Sequence, residues 1–425
     1  MPKKLVTIIG KAVKSAARLR GGGSALPGMV VEHIDPNFIK QTLSTLPLGT
    51  VIVSGTNGKT TTTKMVVELL EGQGLKVFTN RTGSNFTRGV AAALLGDINI
   101  NGQLKADIAV LELDEAHAVH FVDKIPPRYC LILNVMRDQL DRFGEIDHTA
   151  KLLEHVAQKT SDTVVLNRED PLVAAIASKL SRQNIRYFGL SPELVDIFPS
   201  DERLHTENKD ISNNQLPTDV LLSRLVNQTA TFEFDNQSLT ADLEINGIYN
   251  IFNAAAALSL VRAVMGDKLN LSKLTSSLEK ITPAFGRGET IVVGGQKLEL
   301  ILVKNPSGFR LGLKSFDPSD YKTMIAINDN YADGRDMSWL WDVDFTSLGA
   351  TGVDIVTGIR AYDMALRLQY DKVPFREVNP DIKKAVKKFI DYNKNSPKRI
   401  YCTYTAMLSI RRLLSKYTKI EGVIS

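Results

Sequence analysis

The 425-residue chain has only two cysteines, Cys130 and Cys402. Neither stands in a metal-binding spacing, so no disulfide framework and no thiolate metal site is implied, and a reducing cytosol suits the pair. Tryptophan is equally scarce: its two residues, Trp339 and Trp341, fall in one short stretch. No apolar run approaches the ~18–20 residues that span a bilayer. A large excess of one charge is also missing. Lys and Arg number 52 against 47 Asp and Glu, a net +5, and no nucleic-acid-binding signature accompanies it. The remainder is an ordinary globular composition, 43% hydrophobic and 23% charged, in a length that fits two or three domains.

The N-terminus, "MPKKLVTIIGKAVKSAARLRGGGSALPG", superficially suggests a signal peptide. Lys11, Lys14, Arg18 and Arg20 interrupt it, and no long apolar core precedes "SAA". It reads instead as an amphipathic basic helix ended by Gly21, Gly22 and Gly23. Two uses stay open for it: packing on the next domain, or contact with an anionic membrane surface.

From residue 50 to about 190, short apolar runs alternate with helical patterns. "VIVSG", "KVFTN", "ADIAVLEL", "YCLILNV" and "DTVVLN" each precede a helix-like stretch. That alternation predicts an α/β fold with a parallel sheet covered on both faces. Residues 191–235 are polar and Pro-punctuated and read as a variable insertion. "ATFEFDNQSLTADLEI" reads as two strands around an Asp-Asn turn, and "NIFNAAAALSLVRAVMG" as a helix. "LELILVKN", "TMIAIN" and "VDIVTG" predict a second α/β domain. The expected division is 1–45 for the basic leader, 46–295 for a central nucleotide-binding domain and 296–425 for the C-terminal domain.

The chemistry concentrates in "VIVSGTNGKTTTTKMVVELL". Gly55 and Gly58 free the backbone to turn amides toward an anion. The helix that starts near Thr60 adds its positive end. Lys59 supplies a charge for phosphates, and the Thr60 hydroxyl is a Mg²⁺ ligand. Val53 stands where a general P-loop has its first Gly. Gly55, Thr56, Asn57, Gly58, Lys59, Thr60 and Thr61 are the candidate nucleotide cradle. Glu112, at the strand end in "AVLEL", is positioned to hold the same Mg²⁺, with Glu115 as fallback. His117 and His120, three apart, lack a third soft ligand nearby and read as ordinary helix residues.

"GTNGKTTT" resembles the ATP loop of the Mur ligase family, which includes folylpolyglutamate synthetases. The resemblance implies ATP and Mg²⁺, activation of a carboxylate as an acyl phosphate, and attack by an amine. "LNVMRDQLD" is similar to that family's Asn followed by Asp-His-Leu-Asp. Gln139 replaces a metal-binding His, with Asn134, Asp138 and Asp141 retained and Lys151 an ordinary helix residue. "GIYNIFNAAAA" resembles the adenine-binding segment, with Asn250 and Asn253 on one helix face and Tyr249 replacing a His. "FGRGE" resembles the hinge motif and brings in Arg287.

"NDNYADGRDMSWLWDVDF", "GIRAYDMALRLQY", "KNPSGF", "ELDEAHA" and "RGGGSALPGMV" sharpen the match. Over nearly the whole chain, the sequence resembles the ligase-like subunits of lipid II isoglutaminyl synthases within the Mur ligase family. That resemblance implies ATP-dependent amidation of the D-glutamate α-carboxylate of lipid II, with ammonia from a glutaminase partner (GatD). An Asp of this chain would orient the partner's catalytic His: Asp336, or Asp342 as second choice. Relatives often carry a four-Cys zinc ribbon in the middle region; no Cys occurs there, so no zinc is expected. A stand-alone amino-acid ligase and a non-enzymatic ATP-binding scaffold are the competing readings.

Overall fold

Two sheets organise the chain, and the central strands of both are too apolar to face water. The computed structural model describes residues 3–19, 25–80, 86–136, 146–195, 198, 216–245, 248–282, 287–316 and 318–418. The first sheet contains β1 (Thr50–Ser54), β2 (Val77–Thr79), β3 (Ile108–Glu112), β4 (Tyr129–Ile132), β5 (Thr163–Asn167), β6 (Asn184–Leu190), β7 (Val220–Val226), β8 (Thr229–Phe234) and β9 (Gln237–Asp242). Their spatial order is β2-β3-β1-β4-β5-β6-β7-β8-β9. Pairing is parallel from β2 to β7 and antiparallel from β7 to β9.

Before and between the first strands lie α1 (Lys3–Leu19), α2 (Leu26–Ile34), α3 (Phe38–Leu43), α4 (Lys59–Gly72), α5 (Thr87–Asp97) and α6 (Glu115–Lys124). The period of two along β1 divides the core between the sheet's faces. Val51 and Val53 pack with Met65, Leu69 and Leu70 of α4 on one face. Ile52 packs with Leu94 and Leu95 of α5 and Phe121 of α6 on the other. Burying side chains of this size stabilises the fold by about 1.5–3 kcal/mol each. The helix Ile248–Met265 lies beneath the sheet against α4, with Ala254, Ala255, Ala256 and Ala257 fully buried. A helix apolar on all sides needs such a position.

Each strand expected between 50 and 167 is present. The Asp-Asn turn is a two-residue hairpin joining β8 to β9, with Asp235 at φ 48° and Asn236 at φ 58°, the conformation this turn requires. Within the stretch expected as an insertion, β7 extends the sheet beside the expected strand β8. Its alternation is weak in sequence because β7 buries only part of one face.

The second sheet runs β10-β11-β15-β12-β13-β14, from β10 (Arg287–Val293), β11 (Gln296–Leu302), β12 (Lys322–Ala326), β13 (Val353–Thr357), β14 (Phe375–Asn379) and β15 (Lys398–Cys402). Only β10 is antiparallel. The order reverses between β15 and β12, and the carboxyl ends of those two strands are tied by Asn328 N donating to the Thr403 hydroxyl at 2.9 Å.

Candidate active site: a phosphate loop at the junction of the two sheets

The loop Gly55–Gly58 leaves β1 between the ends of β3 and β4. Gly55 has φ 130°, and a Cβ there would lie 3.0 Å from the Asn134 backbone N and O. Asn134, just past β4, clasps the loop. Its Oδ1 accepts from Asn57 N at 2.8 Å, and its Nδ2 donates to Asn57 O at 3.0 Å. Thr56 N donates to Asn134 O at 3.0 Å. The Thr56 hydroxyl accepts from Met136 N at 3.1 Å and donates to Met136 O at 3.3 Å. That hydroxyl therefore stiffens the loop. Gly58 turns the chain into α4 at φ 86°.

Lys59 is 5% exposed, and its ammonium folds back along the loop. It donates to Gly55 O, to Thr56 O at 3.3 Å and to the Glu115 carboxylate at 3.3 Å. Glu115 is 2% exposed; burial pushes its carboxyl above the usual range, and Lys59 pulls it back. The two expected metal ligands lie together. Thr60 Oγ1 donates to Glu112 Oε1 at 2.9 Å, and β3 pairs in register with β1 so that Glu112 stands beside Val53. Asn80 brackets the Glu112 backbone at 2.8 and 3.0 Å. Glu115, the fallback ligand, faces Lys59 instead.

The loop is latched to the second sheet's domain. Asn305 Nδ2 donates to Asn57 Oδ1 at 3.2 Å, and Asn305 Oδ1 caps the helix Pro306–Ser315 through Gly308 N at 2.7 Å. Between the two domains is a cavity of about 130 Å³ lined by Gly58, Thr61, Tyr249, Asn250, Asn253 and Lys304, among others. The sequence reading did not anticipate the Asn57–Asn305 and Lys59–Glu115 pairs. A buried Lys and a buried Glu need partners, but sequence does not show which residues will be buried.

These residues fit a nucleotide and a magnesium ion. Thr61 Oγ1, buried at the cavity wall, has no hydrogen-bond partner. The space over Gly58 admits no Cβ, which would meet the Asn253 amide at 2.9 Å. Hydroxyl and carboxylate oxygens are the donors a hard cation takes. Among the described residues no cluster of three or more His, Cys, Asp or Glu is placed to hold a metal, so a cation here leans on Thr60, Glu112 and phosphate oxygens. Asp138 and Asp141 lie outside the described residues, as does the Arg287 side chain. A larger cavity, about 450 Å³, opens near Lys40, Arg128 and Arg182 at the amino ends of β1, β4 and β5. Parallel sheets bind ligands at the opposite edge, so the smaller cavity is the candidate site.

Gly58→Ala tests the cradle directly. A Cβ at positive φ costs about 1–2 kcal/mol, and this one also displaces Asn253. ADP affinity measured by calorimetry is expected to fall about tenfold; unchanged affinity would mean that the loop does not close on the nucleotide here.

The acidic loop after β12 divides into bound and presented carboxylates. Asp329 is paired with Arg360 at 2.7 Å. Asp333, 3% exposed, accepts from Thr405 N at 2.7 Å, from the Thr405 hydroxyl and from Asn330 N at 3.1 Å. Burial nonetheless pushes its carboxyl up. Asp344 binds Thr346. Asp336 is half-buried and accepts from Ser338 N at 2.9 Å, while the Asp342 carboxylate is exposed. Trp339 is core, but Trp341 is 48% exposed and edge-on to Tyr370. The two cysteines are buried, and burial pushes the Cys130 thiol to about 12 and that of Cys402 up as well, so neither is a poised nucleophile.

Comparison with known proteins decides the family. The chain is 31% identical, over 93% of its own length and 93% of the relative's, to the lipid II isoglutaminyl synthase (glutamine-hydrolyzing) subunit MurT of Streptococcus pneumoniae. The chain belongs to the MurT family. The MurT subunit of Staphylococcus aureus strain COL is 28% identical over 90% of this chain and 92% of that one. Family profiles divide the MurT-type chain as its sheets do: the Mur ligase middle domain matches residues 53–261 and the MurT ligase C-terminal domain residues 302–407. The fold is that of Mur ligases. MurF ligase from Thermotoga maritima, solved in complex with ADP, superposes with a TM-score of 0.67 at 18% identity, covering 90% of this chain and 83% of that one.

Proposed function

We propose that this MurT-family chain is the ATP-dependent synthase subunit of a glutamine-hydrolysing amidotransferase. In this reading it converts the D-glutamate α-carboxylate of lipid II to the D-isoglutamine amide, with ammonia from a glutaminase partner, GatD. ATP supplies the phosphoryl group that turns the carboxylate into an acyl phosphate, from which ammonia displaces phosphate. The chain's own work is placement. Gly55–Thr61 and Lys59 hold the phosphates, Asn250 and Asn253 the adenine edge, and Thr60 with Glu112 the Mg²⁺ that neutralises phosphate charge. The Asn57–Asn305 latch couples loop closure to the C-terminal domain and excludes water from a hydrolysable intermediate.

The observation that carries the reading is a phosphate loop facing Glu112 in the same chain as a MurT-type C-terminal sheet. The partner half is supported by exposed Tyr331 and Trp341 in the same loop as Asp336 and Asp342, with exposed Tyr362 and Tyr370 on the helix Ala361–Tyr370 and Tyr370 against Trp341, a surface composition suited to protein contact. The test combines the purified chain, the glutaminase, lipid II, ATP and glutamine. Amidated lipid II by mass spectrometry, dependent on both polypeptides, is expected. Amino-acid addition by the chain alone would instead identify a stand-alone ligase, and no ATP consumption in any combination would identify a scaffold.

A further inference from the structure

Helix α1 is seated on the molecule by one face and leaves an apolar face uncovered. Val6 and Thr7 are fully buried, and a Cβ on Gly10 would collide with Val31 of α2 and Leu95 of α5. Lys11 Nζ donates to Leu95 O and Lys14 Nζ to Ala92 O, both at 3.0 Å, so two cations hold α1 to the carboxyl-terminal turns of α5. The opposite face carries Leu5, Ile8, Ala12, Ala16 and Leu19, all exposed, at helical spacing. Leu19 is 90% exposed. The adjoining α2 adds exposed Leu26 and Met29. Lys4 lies exposed beside this stripe.

Charge identifies the occupant. Residues 1–31 contain six Lys and Arg and no Asp or Glu, whereas the whole chain is +5. The rest of the chain is therefore net −1, and the cationic excess lies entirely in this segment. An apolar helix face bordered by Lys4, in a segment whose charged residues are all basic and on a chain whose described helices include none that can span a bilayer, is the pattern of an interfacial helix. We propose that α1 docks the protein on an anionic bilayer surface, its Leu5–Ile8–Leu19 stripe entering the headgroup boundary and Lys4 contacting lipid phosphates. The helix lies parallel to the surface, since its other face is committed to α2 and α5. The inference is independent of the proposed reaction, because it is tested on vesicles that contain no lipid II.

The full-length chain is mixed with vesicles of phosphatidylglycerol or of phosphatidylcholine and floated on a density gradient. Binding to phosphatidylglycerol alone is expected, with release at high salt. Leu5→Glu/Ile8→Glu should lower the bound fraction about tenfold, and Lys4→Glu should lower it in low salt only. The separate variant Leu19→Glu reads the same stripe if the double variant melts early. The proposal is overturned if wild type ignores phosphatidylglycerol, or if the glutamate variants float as well as wild type. It is equally overturned if the chain is dimeric without lipid and Leu5→Glu/Ile8→Glu makes it monomeric, which would assign the stripe to a second copy.

Discussion

Lys59→Ala is expected to lower ATP-dependent amidation by roughly 10²–10³-fold, the range for deleting one preorganised charge-stabilising donor. The same change strands Glu115. In the wild type this carboxylate is buried against the Lys59 ammonium, and burial already holds its pKa above the ordinary 4.5. Without Lys59 the opposing pull disappears and the folded-state value rises further. A carboxyl whose folded pKa lies above its unfolded one favours folding at low pH; that advantage fades as pH climbs past 4.5 and is gone above the folded value. The melting-temperature deficit of Lys59→Ala should therefore be larger at pH 8 than at pH 5. Adding Glu115→Gln should recover much of that deficit at pH 8 and none of the activity. Two measurements decide it: ADP release with the full complex, and thermal melts at both pH values. Wild-type turnover in Lys59→Ala would remove Lys59 from the phosphate site. A deficit independent of pH, untouched by Glu115→Gln, would mean that the buried pair is not what the substitution disturbs.

Features set by neighbouring residues were readable in the sequence; features set by distant ones were not. The β1–loop–α4 unit is one continuous stretch in which strand burial, glycine freedom and a helix start succeed one another, so its form and chemistry are both visible. The same holds for the Asp235–Asn236 hairpin and the apolar helix Ile248–Met265. Glu112 was legible as a strand end, and only the β1–β3 register brings it within 2.9 Å of Thr60. The clasp between Asn57 and Asn134 spans 77 positions and the latch to Asn305 spans 248. No local period encodes either. Strand β6 escaped notice because its first two residues are exposed and its apolar half is short. The acidic loop was legible as a cluster, but the separation of Asp329 and Asp333 from Asp336 and Asp342 depends on Arg360 and Thr405. Those residues reach the loop from just past the carboxyl ends of β13 and β15.

That separation gives the second large effect. Asp336→Asn is expected to cut glutamine-driven amidation about 10³–10⁴-fold, as loss of the orienting carboxylate does in a nucleophile–His–Asp triad. Amidation driven by added ammonium should be unchanged, because the phosphate loop and its cavity lie elsewhere. The split follows from position. Asp336 accepts one hydrogen bond, from Ser338 N, and the asparagine oxygen of the variant can still accept it. Asp333→Asn, by contrast, breaks into the Thr405 and Asn330 contacts and should reduce both activities together with stability. Asp342→Asn provides the comparison: its carboxylate is exposed, and its backbone carbonyl accepts from Arg310. A glutamine-specific loss in Asp342→Asn with Asp336→Asn intact would transfer the role to Asp342. Equal loss of both activities in Asp336→Asn would tie that residue to the synthase reaction or to docking of the two subunits. A carboxylate lent to a partner has to be held at the rim by the fold without being consumed by it: Asp336 accepts from one backbone amide and is partly open, whereas the Asp344 oxygen that accepts from Thr346 N also takes the Thr346 hydroxyl.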